Sequence, residues 1–341
     1  MGTTWSAKFI QPASPAPPLD PAAVSTQIAA RLEALEAIFS TYRPASELSR
    51  FNTSPTVEWQ PVSPELARVA VASRELSALT GGAFDATVGP LVSLWGFGPQ
   101  RRTGTKLPTS AEIAAARARV DYRRLEARLA PPALRKSDLT LSADFASMAK
   151  GFSADELSIL LTALGAPDHL VQVGGDLKTS GHPSGAPSWS AGIENPPSPS
   201  SAVNLPATLA TTVTLAGEAL STSGDSHNAF TVGRRRYGHI IDPRTGRPAQ
   251  GPLASVSVIH PSCAQSSAIA TALFVLGADA GFHFAEKHHL AALFIVRDAA
   301  TAQLALRPTS AFTKFAAPAT PASPPATPPA PALPLTAPGA R

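Results

Sequence analysis

The sequence predicts an α+β fold: one large domain over about residues 1–315, followed by a Pro/Ala-rich tail at 316–341. Three observations carry this. Helical and strand periodicities mix along the chain without a strict βαβ beat, which points to mixed sheets with packed helices. Hydrophobic residues make up 44% of the 341, enough for a substantial core, while charged residues reach only 15%. The 35 prolines are unevenly placed. The tail holds a dense group of them, with no charge before Arg341 and no aromatic after Phe315. Such a segment favours extended polyproline conformations and cannot bury enough apolar surface to order itself, so a disordered tail is expected.

The elements follow in order. Residues 3–10 alternate and read as a strand. Beyond a proline loop, Ile28, Leu32, Leu35 and Phe39 recur at helical spacing. Ser63-Pro64 reads as an N-cap with proline at the first helical position, and the helix it opens stops at Gly81-Gly82. Thr109 and Glu112 have capping-box spacing for a short helix to about Val120. A strand is predicted over 138–144, then a helix from Ala146 to Leu164 stopped by Gly165. Strands are predicted at 169–174, 189–194, 206–215, 229–233 and 237–241, with a turn at Asp242-Pro243-Arg244-Thr245-Gly246. Val256–His260 reads as a strand, 264–276 and 279–288 as helices, and Ala291–Val296 as a last strand.

Composition excludes some functions. The net charge is +4, and the one dense basic run, Arg234-Arg235-Arg236, reads as a solvated turn, because no interleaved aromatics accompany it; nucleic acid is not an expected partner. A single cysteine, Cys263, rules out an internal disulfide. No apolar run is long enough to span a membrane. The first residues lack a basic stretch and an apolar stretch, so a cytoplasmic location is expected as written, and a periplasmic one if the true start lies upstream.

Several segments are richer in Gly, Asp and Ser than a core needs. Thr80-Gly81-Gly82-Ala83-Phe84-Asp85 permits close approach of backbone to a ligand, or is an ordinary helix stop. Asp144 to Gly151 passes into a helix; Lys150 can add a point charge to a phosphate at the helix start, or Asp144 is a cap and Lys150 a solvated side chain. Gly174-Gly175-Asp176 ends a strand in a tight turn. Ser223-Gly224-Asp225 is followed by His239 at a strand end, where a structural hydrogen bond is the commoner role for histidine. Ser267 and Thr271, four apart, share a helical face and form an oxygen pair of the kind a hard cation takes, although one member is normally a carboxylate.

Taken in order, these motifs resemble the ApbE family of FAD:protein FMN transferases. The resemblance covers about residues 1–300. It rests on Met1-Gly2-Thr3, the Tyr42–Asn52 segment, TGGAFD ending at Asp85, the run from Pro90 to Gly98, and Asp144 to Gly151. Gly174-Gly175-Asp176, Ser223-Gly224-Asp225, His239 to Gly246 and Cys263 to Gly277 complete it. The resemblance implies an ApbE-like, T-fold-like catalytic domain. It also implies Mg²⁺-dependent transfer of FMN from FAD to a threonine or serine hydroxyl of an acceptor flavoprotein, with release of AMP. It assigns FAD contacts to Met1, Tyr42, Ala83, Phe84, Asp85, Asp144, Lys150 and Ile241. Catalysis falls to His239 with Asp225, and the metal to the Ser147 carbonyl, Ser267 and Thr271.

Two positions depart from the family pattern. Ser267 stands where the family has aspartate, so the metal site loses a formal charge, and weaker metal binding is expected unless Asp225 or Asp242 compensates. Ser226 stands where an aromatic commonly follows. The first departure leaves a catalytically weakened FAD-binding paralogue as one alternative. An FAD pyrophosphatase releasing FMN and AMP is another.

Overall fold

The structure, a computed structural model, describes residues 3–12, 17–98, 107–197, 208–224, 228–233, 235–298, 300–316 and 335–336. Strand β1 (Trp5–Phe9) is followed by helices α1 (Pro21–Phe39) and α2 (Glu47–Thr53), strand β2 (Gln60–Pro61), and helices α3 (Pro64–Leu79), α4 (Gly89–Leu94) and α5 (Ser110–Arg117). The hairpin β3 (Leu125–Leu129) and β4 (Pro132–Lys136) leads to the long helix α6 (Ala146–Ala163). Then come β5 (His169–Val173), β6 (Asp176–Ser180), β7 (Trp189–Glu194), β8 (Leu209–Leu215), β9 (Ala219–Gly224), β10 (Ala229–Val232) and β11 (Arg235–Gly238). Strands β12 (Ile241–Asp242), β13 (Arg247–Pro248) and β14 (Leu253–His260), helices α7 (Cys263–Leu276) and α8 (Ala278–Lys287), and strands β15 (Ala291–Arg297), β16 (Leu304–Pro308) and β17 (Leu335–Thr336) complete the described chain.

Eight strands form one antiparallel sheet in the order β16-β15-β14-β9-β6-β5-β1-β17. Its two faces are both covered, and the period of two along each strand shows how. In β14 and β15, Val256, Val258, Ala292 and Phe294 enter the core beneath α3, α6 and α7. Their alternates Ile259, Leu293 and Ile295 pack with Ile193, Val213 and Leu215 of the β7–β8 hairpin and with Phe312. A strand buried on both faces reads as a continuous apolar run, which is why β14 is legible in the sequence.

The helix starts are as the sequence reads them. The Ser63 hydroxyl accepts from the Leu66 N–H at 3.3 Å. The Thr109 hydroxyl accepts from the Glu112 N–H at 3.2 Å, and Glu112 accepts from the Thr109 N–H at 2.6 Å. Helix α7 has a cap from another helix: Asp155 of α6 accepts from the Cys263 and Ala264 N–H groups at 2.8 and 3.0 Å. The two helices also approach closely. A Cβ on Gly151 would lie 2.2 Å from the Cys263 carbonyl oxygen, so only glycine fits there.

Three expectations need correction. Residues 138–144 are not a strand: Asp138 accepts from the Thr140 N–H and hydroxyl, each at 2.8 Å, and turns the chain. The strand predicted at 237–241 is broken at His239, between β11 and β12. The β3–β4 hairpin and strands β6, β9 and β16 are absent from the sequence reading. Strand β9, Ala-Leu-Ser-Thr-Ser-Gly, carries little β-propensity, and pairing on both sides overrides that. Of the tail, Ala316 bridges to Val213, residues 335–336 pair with β1, and the rest lies outside the described residues. No described helix is long and apolar enough to cross a membrane.

Replacing Gly151 with alanine forces backbone against backbone where no flexible side chain can yield. The expected cost is about 3 kcal/mol or more, read as a lowered urea midpoint.

Candidate active site

The site begins where α3 stops. Beyond Leu79 the chain reverses through Gly81 and Gly82 and carries Ala83, Phe84 and Asp85 inward, all buried. Asp85 is an anchor of this loop. One carboxylate oxygen accepts from the Thr87 N–H at 2.7 Å and hydroxyl at 2.6 Å, the other from the Tyr122 N–H at 3.0 Å. Burial still pushes its carboxyl above the usual range.

Asp144 is held against this loop. Its N–H donates to the Ala86 carbonyl at 2.6 Å. The preceding residue, Ala143, is gripped by the Asn52 side chain, which donates to the Ala143 carbonyl at 2.8 Å and accepts from its N–H at 2.7 Å. Lys136, fully buried, braces the grip by donating to the Asn52 carbonyl at 2.8 Å, a cation near the C-terminus of α2. One Asp144 oxygen accepts from the Ala146 N–H at 2.9 Å, and burial pushes its carboxyl above the ordinary value.

One and a half turns along α6, half-buried Lys150 runs past the β5–β6 turn, with Nζ 3.5 Å from the Gly174 carbonyl. Gly174 and Gly175 have φ of +58° and +94°, the left-handed pair that a two-residue hairpin turn requires. A Cβ on Gly174 would also lie 2.8 Å from the Thr3 hydroxyl and 2.9 Å from Lys150 Cδ. The turn delivers Asp176, buried, onto α7: the Ser267 hydroxyl donates to Asp176 Oδ2 at 3.0 Å. Burial pushes the Asp176 carboxyl up, while Lys150, Ser221 and Ser267 act against that shift. The Thr271 hydroxyl donates to the Ser267 carbonyl at 3.1 Å and lies 3.3 Å from that of Ser223.

His239 sits at the end of an aromatic ladder. Trp95, Tyr237, Phe230 and Phe97 are stacked in turn with ring centroids 5.4–5.6 Å apart, and Phe97 meets His239 edge-on at 6.3 Å. Trp95 Nε1 donates to the Gly246 carbonyl at 2.9 Å, and Ile241 packs into the same cluster, so the run from Pro90 and the turn at 242–246 are one unit. Gly238 and Ile240, the chain neighbours of His239, line a cavity of about 120 Å³ together with Gly224, Arg236, Leu253 and Phe274. Asp242 is engaged by Arg244, at 2.9 Å to one oxygen and 3.0 Å to the other, and so is not a spare carboxylate for Ser267. Tyr42, 66% exposed between α1 and α2, stands apart from these groups in every described contact. Met1, Asp225 and Ser226 lie outside the described residues.

Residues 1–294 match the family described as ApbE. The chain belongs to the ApbE family. The FAD:protein FMN transferase of Vibrio cholerae is 36% identical over 297 residues, 87% of this chain and 85% of that protein. The enzyme of that name from Escherichia coli K12 is 33% identical over 303 residues, 87% and 82% of the two chains. Among solved structures, the flavin transferase ApbE of V. cholerae superimposes with a TM-score of 0.81 at 34% identity, covering 92% of this chain and 96% of its own. The apo Pseudomonas stutzeri flavinyl transferase ApbE gives 0.80 at 35%, covering 92% and 94%.

In this ApbE-family chain the structure draws the sequence-derived positions into two groups joined by the first turns of α6. Ala83, Phe84, Asp85 and Asp144 form one. Lys150, Ser267 and Thr271 form the other. Sequence reasoning passed over Asn52, Lys136 and Asp176 as site-building residues. Asn52 and Asp176 lie within quoted motifs, but their partners are 91 residues away in each case, so no local pattern points to them.

Two outcomes follow from this geometry. Asn52→Ala leaves the buried Ala143 groups unpaired, at an expected cost of about 1–3 kcal/mol in urea denaturation. Asp144→Asn keeps an acceptor for the Ala146 N–H and removes a partly buried charge. At pH 7 it is expected to unfold at a higher urea concentration than the wild type. Its stability advantage shrinks as the pH falls through the raised folded value towards the ordinary carboxylate value near 4, where the wild-type acid is already neutral.

Proposed function

We propose that this protein is an FAD:protein FMN transferase, which moves the FMN part of FAD onto a threonine or serine hydroxyl of an acceptor flavoprotein and releases AMP. The observation that carries the reading is the joining, by one helix start, of the TGGAFD loop and Asp144 to a polar cluster of Lys150, Asp176, Ser267 and Thr271, in a chain whose relatives are named FAD:protein FMN transferase.

In this reading Ala83, Phe84, Asp144, Lys150 and Ile241 hold FAD, with the Tyr42 ring, Met1 and the loop anchored by Asp85. Lys150 supplies a positive charge to the diphosphate. His239, assisted by Asp225, takes the proton of the acceptor hydroxyl as that oxygen forms a bond to the FMN phosphorus. The anhydride bond breaks and AMP leaves with the bridging oxygen. Much of the rate comes from holding the two reactants in line in a preorganised polar site. The ladder of Phe97, Phe230, Tyr237 and Trp95 keeps the imidazole in place. The cavity beside His239 is far below the roughly 300 Å³ of small-molecule sites and is of a size to receive a side chain of the acceptor segment.

Mg²⁺ would be held by the Ser147 carbonyl, Ser267 and Thr271. The donor set fits a hard cation, because these are oxygens and Ser267 already meets a buried carboxylate, Asp176. When bound, Mg²⁺ neutralises charge on the phosphate oxygens.

The test is incubation of the protein with FAD, Mg²⁺ and an acceptor flavoprotein. Acceptor-bound yellow FMN and one AMP per flavin are expected. Free FMN with AMP would mark a pyrophosphatase instead, and unchanged FAD a flavin-binding paralogue. His239→Ala is expected to slow transfer by about 10²–10⁴-fold while FAD binding persists, measured by flavin fluorescence.

A further inference from the structure

We infer that Asp176 is the anionic ligand of the divalent-cation site, acting together with the Ser267 hydroxyl, so that the negative charge of the site comes from strand β6 rather than from helix α7. This rests on the cation site of the proposed function and adds to it the residue that gives the site its charge.

Asp176 is a carboxylate in an unusual place. Asp176 is 4% exposed, and its oxygens face hydroxyls: Ser267 on α7 and Ser221 on β9. The positive charge that most favours its ionised form is Lys150, yet Lys150 Nζ bonds the Gly174 carbonyl and forms no ion pair with Asp176 among the described contacts. A buried carboxylate with only hydroxyl partners is costly, and a cation at its free lone pairs removes the cost. The spacing suits one. Adjacent oxygen ligands of an octahedral ion at 2.0–2.1 Å lie about 2.9 Å apart, and Asp176 Oδ2 lies 3.0 Å from Ser267 Oγ. The Thr271 and Ser223 hydroxyls continue the oxygen-lined surface one helical turn on and are partly exposed, so the rim is open to solvent and to a phosphate.

Two other carboxylates among the described residues are committed elsewhere. Asp155 accepts from Ser262, Cys263 and Ala264, and Asp242 from Arg244. Among the described residues no three His, Cys, Asp or Glu side chains gather as a metal cage. One carboxylate with neutral oxygens is the donor set of an ion that keeps waters and takes the rest of its shell from a substrate phosphate, which is the habit of Mg²⁺.

The experiment is a Mn²⁺ titration of the full chain, without FAD, following free Mn²⁺ by electron paramagnetic resonance. One saturable site is expected in the wild type. Asp176→Asn should weaken it by at least about tenfold. Ser267→Asp should tighten it, and the double variant Asp176→Asn/Ser267→Asp should return it towards the wild-type value, which separates a misplaced charge from a misfolded protein. Wild-type affinity in Asp176→Asn, a double variant no better than Asp176→Asn, or no saturable site in the wild type would each overturn the assignment. The readout needs no turnover, so failure of AMP release in the transfer assay tells against the proposed reaction and leaves this result standing.

Discussion

Gly151 lets α6 lie against the Cys263 carbonyl of α7, and the polar groups of both helices sit within a turn or so of that contact. Ser147 and Lys150 precede it on α6, and Ser267 follows it on α7. Asp155 reinforces the same crossing by capping α7 with its side chain. Small residues make the approach possible: α7 presents Ala264, Ser266, Ser267, Ala268 and Ala270, all buried. Close-packed helices of this kind have little freedom to shift, so the oxygens they carry are held in place before any ligand arrives.

The sheet works on this helix pair from below. The Gly174-Gly175 turn starts β6 with its first side chain, Asp176, directed at α7, and the pairing of β6 with β9 brings Ser221 and Ser223 to the same region. Asp144, just before α6, and Asp176, at the start of β6, are acids whose carboxyls are pushed above the ordinary value by loss of solvent, and Lys150 of α6 acts against that shift at Asp176. A low-polarity setting strengthens each of these charges towards a ligand and costs the folded chain stability while it is empty. That trade is characteristic of a binding site rather than of a structural core.

The Trp95–Tyr237–Phe230–Phe97 ladder performs the corresponding service for His239. The histidine follows the β10–β11 hairpin, which pairs with no other strand among the described residues, and stacked rings from the α4 region give that hairpin a rigid backing.

Much of the chain was legible from sequence alone. Caps, proline starts and glycine stops act over three or four residues, so Ser63-Pro64, the Thr109–Glu112 box and Gly277 mark helix ends without reference to the fold. The α+β class and the order of the motifs were equally readable, and with them the family. Strands β6 and β9 were not, because small polar residues become strands only when both neighbours pair with them. The false strand at 138–144 shows the converse: Asp138 turns an apparently extended run. Residue types and the chemistry they offer are therefore written locally, whereas the company of each side chain is not. That Ser267 meets Asp176 and that Asn52 grips Ala143 were decided by tertiary structure, since only the packing of strands and helices brings positions 91 residues apart to within about 3 Å of one another.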